Sequence, residues 1–255
     1  MTKITPLYQK PFPRATFFGT VAIVVVNLAV FLLTEIDRES LGVLSLNAVS
    51  VVAEGAWWQV FTYMYVHESV NHIAFNMIFL LLAGLKVEET LGSWEFLAYY
   101  HVCGALAGLL SLGVYWGTGQ TSAFLLGSSG AVFAVIFAYA VYRFDGRTLF
   151  VPLAIFIVFD GIQSLASLVM GGFSFSWEGL LYIGLFVGVV AMIFKSEWNR
   201  KAANIVLLFT SFDLLSQLFN PYGGVAHLTH LAGFLFAFLY LTLRMRLPAW
   251  KMFWA

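Results

Sequence analysis

The stretch Ala15–Thr34, ATFFGTVAIVVVNLAVFLLT, runs twenty residues without a charge. A helix needs about 20 predominantly apolar residues to cross a bilayer, and this stretch has that length. Seven further apolar stretches follow, at roughly 71–86, 94–116, 128–143, 148–170, 177–195, 203–219 and 224–243. Polar or Gly/Pro-bearing punctuation separates them. Composition agrees: 61% of the 255 residues are hydrophobic and only 10% are charged, against roughly a quarter charged in a soluble domain. A soluble globule could not hide so much apolar surface. The expected fold is an all-α, polytopic transmembrane helical bundle of about eight spans.

The charges exclude several classes of function. Thirteen Lys and Arg balance thirteen Asp and Glu, leaving no basic excess to neutralise phosphates, so no nucleic-acid partner is expected. Cys103 is the only cysteine, which removes a disulfide scaffold. The apolar content removes disorder. The expected environment is the lipid bilayer itself.

Orientation follows from the same charges. With residues 1–14 cytoplasmic, Lys3, Lys10, Arg14, Lys86, Arg143, Arg147, Lys195, Arg200, Lys201, Arg244, Arg246 and Lys251 all face inside, and only Arg38 lies outside. That bias is what the positive-inside rule demands, and a shift of one span would scramble it. The stretch 35–70 reads as a non-cytoplasmic interfacial loop, with Trp57 and Trp58 at headgroup level. Residues 244–255 read as a cytoplasmic tail. The first span is too long for a signal-peptide core and no small-residue cleavage site follows it. The chain therefore reads as a single membrane domain over 1–255, in a plasma (inner) membrane of bacterial type, with both termini cytoplasmic.

Polar groups inside membrane segments are costly and mark function by default. Here they are His72, Asn76, His101, Ser128, Ser129, Asp160, Gln163, Asp213, His227 and His230. His72 and Asn76 are four apart, on one helix face, and both can donate to a common point; an interhelical polar clamp explains them equally. Gly127-Ser128-Ser129-Gly130 opens the fourth span. There glycine permits a sharp turn, and a serine stands at a helix N-terminus suited to an oxyanion. Helix capping is the plainer explanation. A serine nucleophile needs a base, usually a neutral histidine; spacing does not choose between His227 and His230. A metal site is not expected. His67 and His72 are one residue too far apart for H-E-x-x-H, and no third ligand joins His227 and His230 by pattern.

In combination these motifs resemble the rhomboid family of intramembrane serine proteases. The resemblance is carried by Gly55-Ala56-Trp57-Trp58-Gln59-Val60-Phe61-Thr62, by His67-Glu68-Ser69-Val70-Asn71-His72-Ile73-Ala74-Phe75-Asn76 with its H-x-x-x-N, and by Glu88-Glu89-Thr90-Leu91-Gly92-Ser93 with Glu88 as the acid of an E-x-x-L-G turn. The G-x-S-G at 127–130 and His230-Leu231-Ala232-Gly233 complete it. The resemblance implies Ser129 as nucleophile and His230 as general base. It implies an oxyanion site from His72, Asn76 and the Ser129 N–H, with Gly127, Gly130, Phe133 and Gly233 in support. It implies transmembrane protein substrates, no cofactor and no metal. Because the family works with a Ser–His dyad, it leaves Asp160 and Asp213 to structure or gating.

Two departures stand out. The family's second helix glycine is Ala237 here, still small enough for close helix packing. Ser129 and His230 are 101 positions apart, room for three spans where the family core has one. The span 203–219 looks most like the family's fifth core helix, so 148–195 reads as an inserted hairpin added to a six-helix core. The expected function is an intramembrane endopeptidase with a water-filled cavity open to the non-cytoplasmic side. Two alternatives are a non-proteolytic rhomboid-like binder of transmembrane clients and a small transporter with Asp160 and Asp213 as ion carriers.

Overall fold

A computed structural model describes residues 18–142, 144–155, 184, 202–219 and 227–245. The described chain is mostly helical. Four helices are long and apolar enough to cross a membrane: Phe18–Ile36, Val70–Leu91, Ser93–Gly117 and His227–Met245. Two shorter ones, Ser129–Val141 and Ala202–Phe219, complete the described bundle. They are called below the first, second and third spans, the histidine helix, the serine helix and the aspartate helix respectively. Of the expected hairpin, residues 148–155 are helical; the rest of 148–195, Asp160 and Gln163 included, lies outside the described residues apart from position 184.

The serine helix is the hub. Every residue from Gly130 to Val141 is buried, as expected of a helix apolar on all sides. It packs against the histidine helix, the second and third spans and the aspartate helix. Small residues allow the close approaches. A Cβ on Gly104 would run into Ala131 and the Met64 sulfur, and one on Gly108 would come 2.7 Å from the Tyr63 ring. The Tyr63 hydroxyl donates to the Gly104 carbonyl at 2.6 Å, and the Tyr99 hydroxyl donates to the Ala134 carbonyl at 2.5 Å.

The first span is fastened by a buried acid. Glu88, near the end of the second span, accepts from the N–H groups of Gly19 and Thr20 at 2.8 Å each and from the Thr20 hydroxyl at 2.6 Å; the Ser93 hydroxyl also donates to it. A carboxylate there satisfies orphan N–H groups and opposes the positive end of the helix dipole. Beyond this anchor the first span leaves Val21, Val25, Val26, Leu28, Leu32 and Leu33 exposed, an apolar face for lipid. The second and third spans turn sharply at Gly92, where φ is +80°.

The interfacial segment is more ordered than a loop. It folds into helices Glu39–Leu44, Ala48–Val52 and Gln59–Thr62, a 3-10 turn Tyr63–Tyr65, and a strand Leu46–Asn47. That strand pairs antiparallel with Phe124–Leu125, Leu46 opposite Leu125. Asn47 organises the corner. Its side chain accepts from the Val49 and Ser50 N–H groups and donates to the Thr121 and Ala123 carbonyls. The segment preceding the serine helix is thereby tied down two residues before Gly127. Trp57 and Trp58 remain exposed.

Candidate active site

The approach to the serine helix sets the site. Gly127 has φ +113°, a backbone conformation that favours glycine, and its N–H donates to the Tyr63 carbonyl at 3.0 Å. Space enforces the same choice, because a Cβ on Gly127 would lie 2.7 Å from His72 Nε2. That direction also leads toward the Ser129 Oγ, 3.9 Å from the same point. The His72 imidazole and the Ser129 hydroxyl therefore border one small space beside Gly127. Asn76, one turn below His72, donates one amide hydrogen to the His72 carbonyl at 3.1 Å; a primary amide has a second.

Ser128 and Ser129 part company at the helix start. Ser128 is fully buried, and its Oγ lies 3.2 Å from His67 Nε2. Burial, and then the neighbouring His72 ring, lowers the His67 pKa to about 3, so this imidazole is neutral at ordinary pH. Ser129 is half-buried, and its Oγ lies 2.8 Å from Nε2 of His230.

Two close contacts bring His230 there. Its ring stacks on Phe133, with centroids 4.2 Å apart and planes 23° from parallel, within the range for favourable ring stacking. Gly233, one turn after His230, meets Gly130 backbone to backbone; a Cβ on Gly233 would fall inside the Gly130 carbonyl oxygen's contact radius. Ser111 and Thr229 join the third span to the same region through hydroxyls 2.7 Å apart. At the opposite end, Arg244 pairs with Glu95.

The far side of His230 differs from the dyad expectation. Asp213 Oδ1 lies 3.0 Å from His230 Nδ1 and 2.6 Å from His227 Nδ1. Asp213 is buried at 1% exposure. The acid expected to serve structure or gating touches the histidine directly. The cause is tertiary: the aspartate helix packs on both the serine and histidine helices. The sequence did hold one signal, since a lone carboxylate in an apolar span requires a partner. Two imidazoles stand 14 and 17 positions further on. His67 had no comparable signal, because its partner, Ser128, is 61 positions away.

The same geometry settles which histidine meets the serine. His230 turns Nε2 to Ser129, whereas His227 turns Nδ1 to Asp213 with its ring nearly perpendicular to that of His230. Asp213, His227 and His230 offer ligand atoms within 4.8 Å of one another. The separations of 2.6 and 3.0 Å are those of hydrogen bonds, shorter than the spacing of about 3.4 Å between neighbouring donors on a tetrahedral zinc.

Against this geometry, comparison with known proteins is direct. A family model described as the rhomboid domain matches residues 54–198. That is more than half of the chain, and the chain belongs to the rhomboid family. Together with its long apolar helices, this makes it an integral membrane protein. It is 29% identical over 155 residues to the rhomboid protease GluP of Bacillus subtilis (strain 168), covering 56% of this chain and 27% of that protein. It is 28% identical over 142 residues to the rhomboid protease AarA of Providencia stuartii, covering 48% of this chain and 50% of that protein. It is 32% identical over 133 residues to the chloroplastic rhomboid-like protein 11 of Arabidopsis thaliana, covering 52% and 44% respectively. The chain thus spans half or less of the length of these relatives. The family match ends at residue 198, before Asp213 and His230.

Proposed function

We propose that the chain is an intramembrane serine endopeptidase that cleaves transmembrane segments of other membrane proteins. The observation that carries the reading is the 2.8 Å contact between Ser129 Oγ and His230 Nε2, made across 101 residues. The family match ends short of His230, so this contact is independent support. In the reaction, Ser129 Oγ attacks the substrate carbonyl carbon while His230 Nε2 takes its proton. The tetrahedral oxyanion is held by the Ser129 N–H, His72 and Asn76, each contributing about 3 kcal/mol of barrier reduction. Collapse returns the proton from His230 to the leaving amine. Water, activated by the same base, then hydrolyses the acyl-enzyme.

Depth favours the reading. The serine helix has 13 residues and is about 20 Å long, short of the roughly 30 Å hydrocarbon thickness. With its Val141 end at the cytoplasmic face, as the positive charges of Arg143 and Arg147 support, its N-terminus with Ser129 stops below the opposite surface, and irregular backbone at such depth requires a polar cavity. The charge bias supports a cavity open to the non-cytoplasmic side and both termini on the cytoplasmic side, and the 101-residue spacing of Ser129 and His230 supports an extra hairpin at 148–195.

The test is cleavage of a reporter protein with one transmembrane helix by purified protein in liposomes, with Ser129→Ala and His230→Ala as comparisons. Wild type is expected to cut and to be labelled at Ser129 by a fluorophosphonate, and both variants to lose cleavage while remaining folded. Cleavage by Ser129→Ala at the wild-type rate would remove the nucleophile assignment. A folded wild type that binds the reporter yet neither cuts nor is labelled would leave a client binder instead.

A further inference from the structure

An ionised carboxylate only accepts hydrogen bonds. Both imidazole nitrogens facing Asp213 Oδ1, Nδ1 of His227 at 2.6 Å and Nδ1 of His230 at 3.0 Å, must therefore be the protonated ones. A neutral imidazole carries one proton, so His230 with Nδ1–H presents a lone pair at Nε2. That atom faces the Ser129 hydroxyl at 2.8 Å. A base in the other tautomer would point an N–H at the serine and accept nothing.

We propose that Asp213, held by His227, is a positioning residue that fixes the tautomer and orientation of His230, so that this chain works with a Ser129–His230–Asp213 triad buttressed by a second imidazole. The inference rests on the proposed peptidase reading. Three features of the site favour it. Asp213 is 1% exposed and His227 4%, so water does not compete for these bonds. Asp213 Oδ2 is buried and finds no partner among the described residues. The buried anchoring carboxylate Glu88 has both oxygens satisfied, whereas Asp213 directs one oxygen at two imidazoles. The aspartate and histidine helices are also neighbours in the fold, so His227 braces the acid from the same helix that carries the base. When His230 becomes imidazolium on taking the serine proton, the Asp213 charge lies directly behind it. No proton need pass to Asp213.

The experiment compares wild type, Asp213→Asn, Asp213→Glu and His227→Gln on the reporter substrate in liposomes, measuring kcat and KM separately alongside Tm. Asparagine keeps the shape, but its Nδ2–H group can only donate, and donating to the imidazole Nδ1 favours the wrong tautomer. The corresponding change in a soluble Ser-His-Asp protease lowers kcat by about 10⁴. Here Asp213→Asn is expected to lower kcat by 10²-fold or more with KM within about threefold and Tm nearly unchanged. Asp213→Glu should regain part of the rate, and His227→Gln should lose about tenfold in kcat. A kcat loss under tenfold in Asp213→Asn overturns the inference. So does a loss that Asp213→Glu shares in full and that follows Tm in all three variants. A wild type that neither cuts nor is labelled at Ser129 refutes the peptidase reading itself; a cutting wild type matched by Asp213→Asn refutes this inference alone.

Discussion

Gly233→Ala tests the helix contact that unites the site. Gly233 lies three residues after His230, and Gly130 directly follows Ser129, so their backbone contact joins the two halves of the site at closest range. An added methyl would stand well under 3.0 Å from the Gly130 carbonyl oxygen, a separation that real Cβ atoms essentially never adopt. The obstacle is backbone, which cannot rotate away. The helices must separate by roughly 1 Å to restore ordinary contact, and overpacking of this kind costs about 1–3 kcal/mol. The same displacement stretches the Ser129–His230 contact from 2.8 Å beyond hydrogen-bonding reach, and misplacement of about 1 Å costs on the order of 10²-fold in rate. The assay is kcat per folded molecule on a transmembrane reporter, with Tm measured in parallel. Gly113→Ala is the control: it lies in the third span with nothing within 4 Å of its added Cβ, and the better helix propensity of alanine should leave stability equal or higher by up to about 1 kcal/mol. Wild-type kcat and Tm in Gly233→Ala would refute the argument that this contact sets the spacing.

Two further predictions concern stability. Glu88→Ala removes the acceptor for the Gly19 and Thr20 N–H groups and the Thr20 hydroxyl; bonds to a charged group are worth about 1.5–3 kcal/mol each, so Tm should fall by many degrees. Glu88 is 16 residues along the second span from His72, about 24 Å, so kcat per folded molecule should stay within a few-fold; an inactive but fully folded variant would contradict this placement. His67 has its pKa lowered from 6.5 to about 3, so below pH 6.5 the unfolded chain binds a proton that the folded chain refuses. Its contribution to stability is intact above about pH 6.5 and is lost as pH falls toward 3, by up to roughly 1.4 kcal/mol per pH unit. Tm against pH for wild type and His67→Gln should diverge over that interval, and parallel curves would show that the burial of His67 carries no such cost.

How much of this was legible beforehand depended on the range of each interaction. The apolar stretches and the periodic spacing of His72 and Asn76 are local, and the helices Val70–Leu91, Ser93–Gly117 and Ala202–Phe219 begin and end within a few residues of where the apolar runs suggest. The interfacial segment reads as a loop from sequence because its order comes from Asn47 and Gln59 bonding to backbone groups 12 to 76 positions away, which no local pattern records.

The sequence by itself determined that this chain lives in lipid, because each span exposes more apolar side chain than water allows. Its ordered motifs also pointed to its family. The motif resemblance implied His230 as the base, but spacing did not choose it over His227; tertiary structure brings its Nε2 to Ser129 and alone decides what stands behind that histidine. His227 and His230 are nearly equivalent by spacing, and only the packing of the aspartate helix directs Asp213 to both rings while leaving one Nε2 turned to the serine. Hydrogen bonds span about 3 Å, whereas the positions they join here lie up to 101 residues apart, and that distance is closed only by folding.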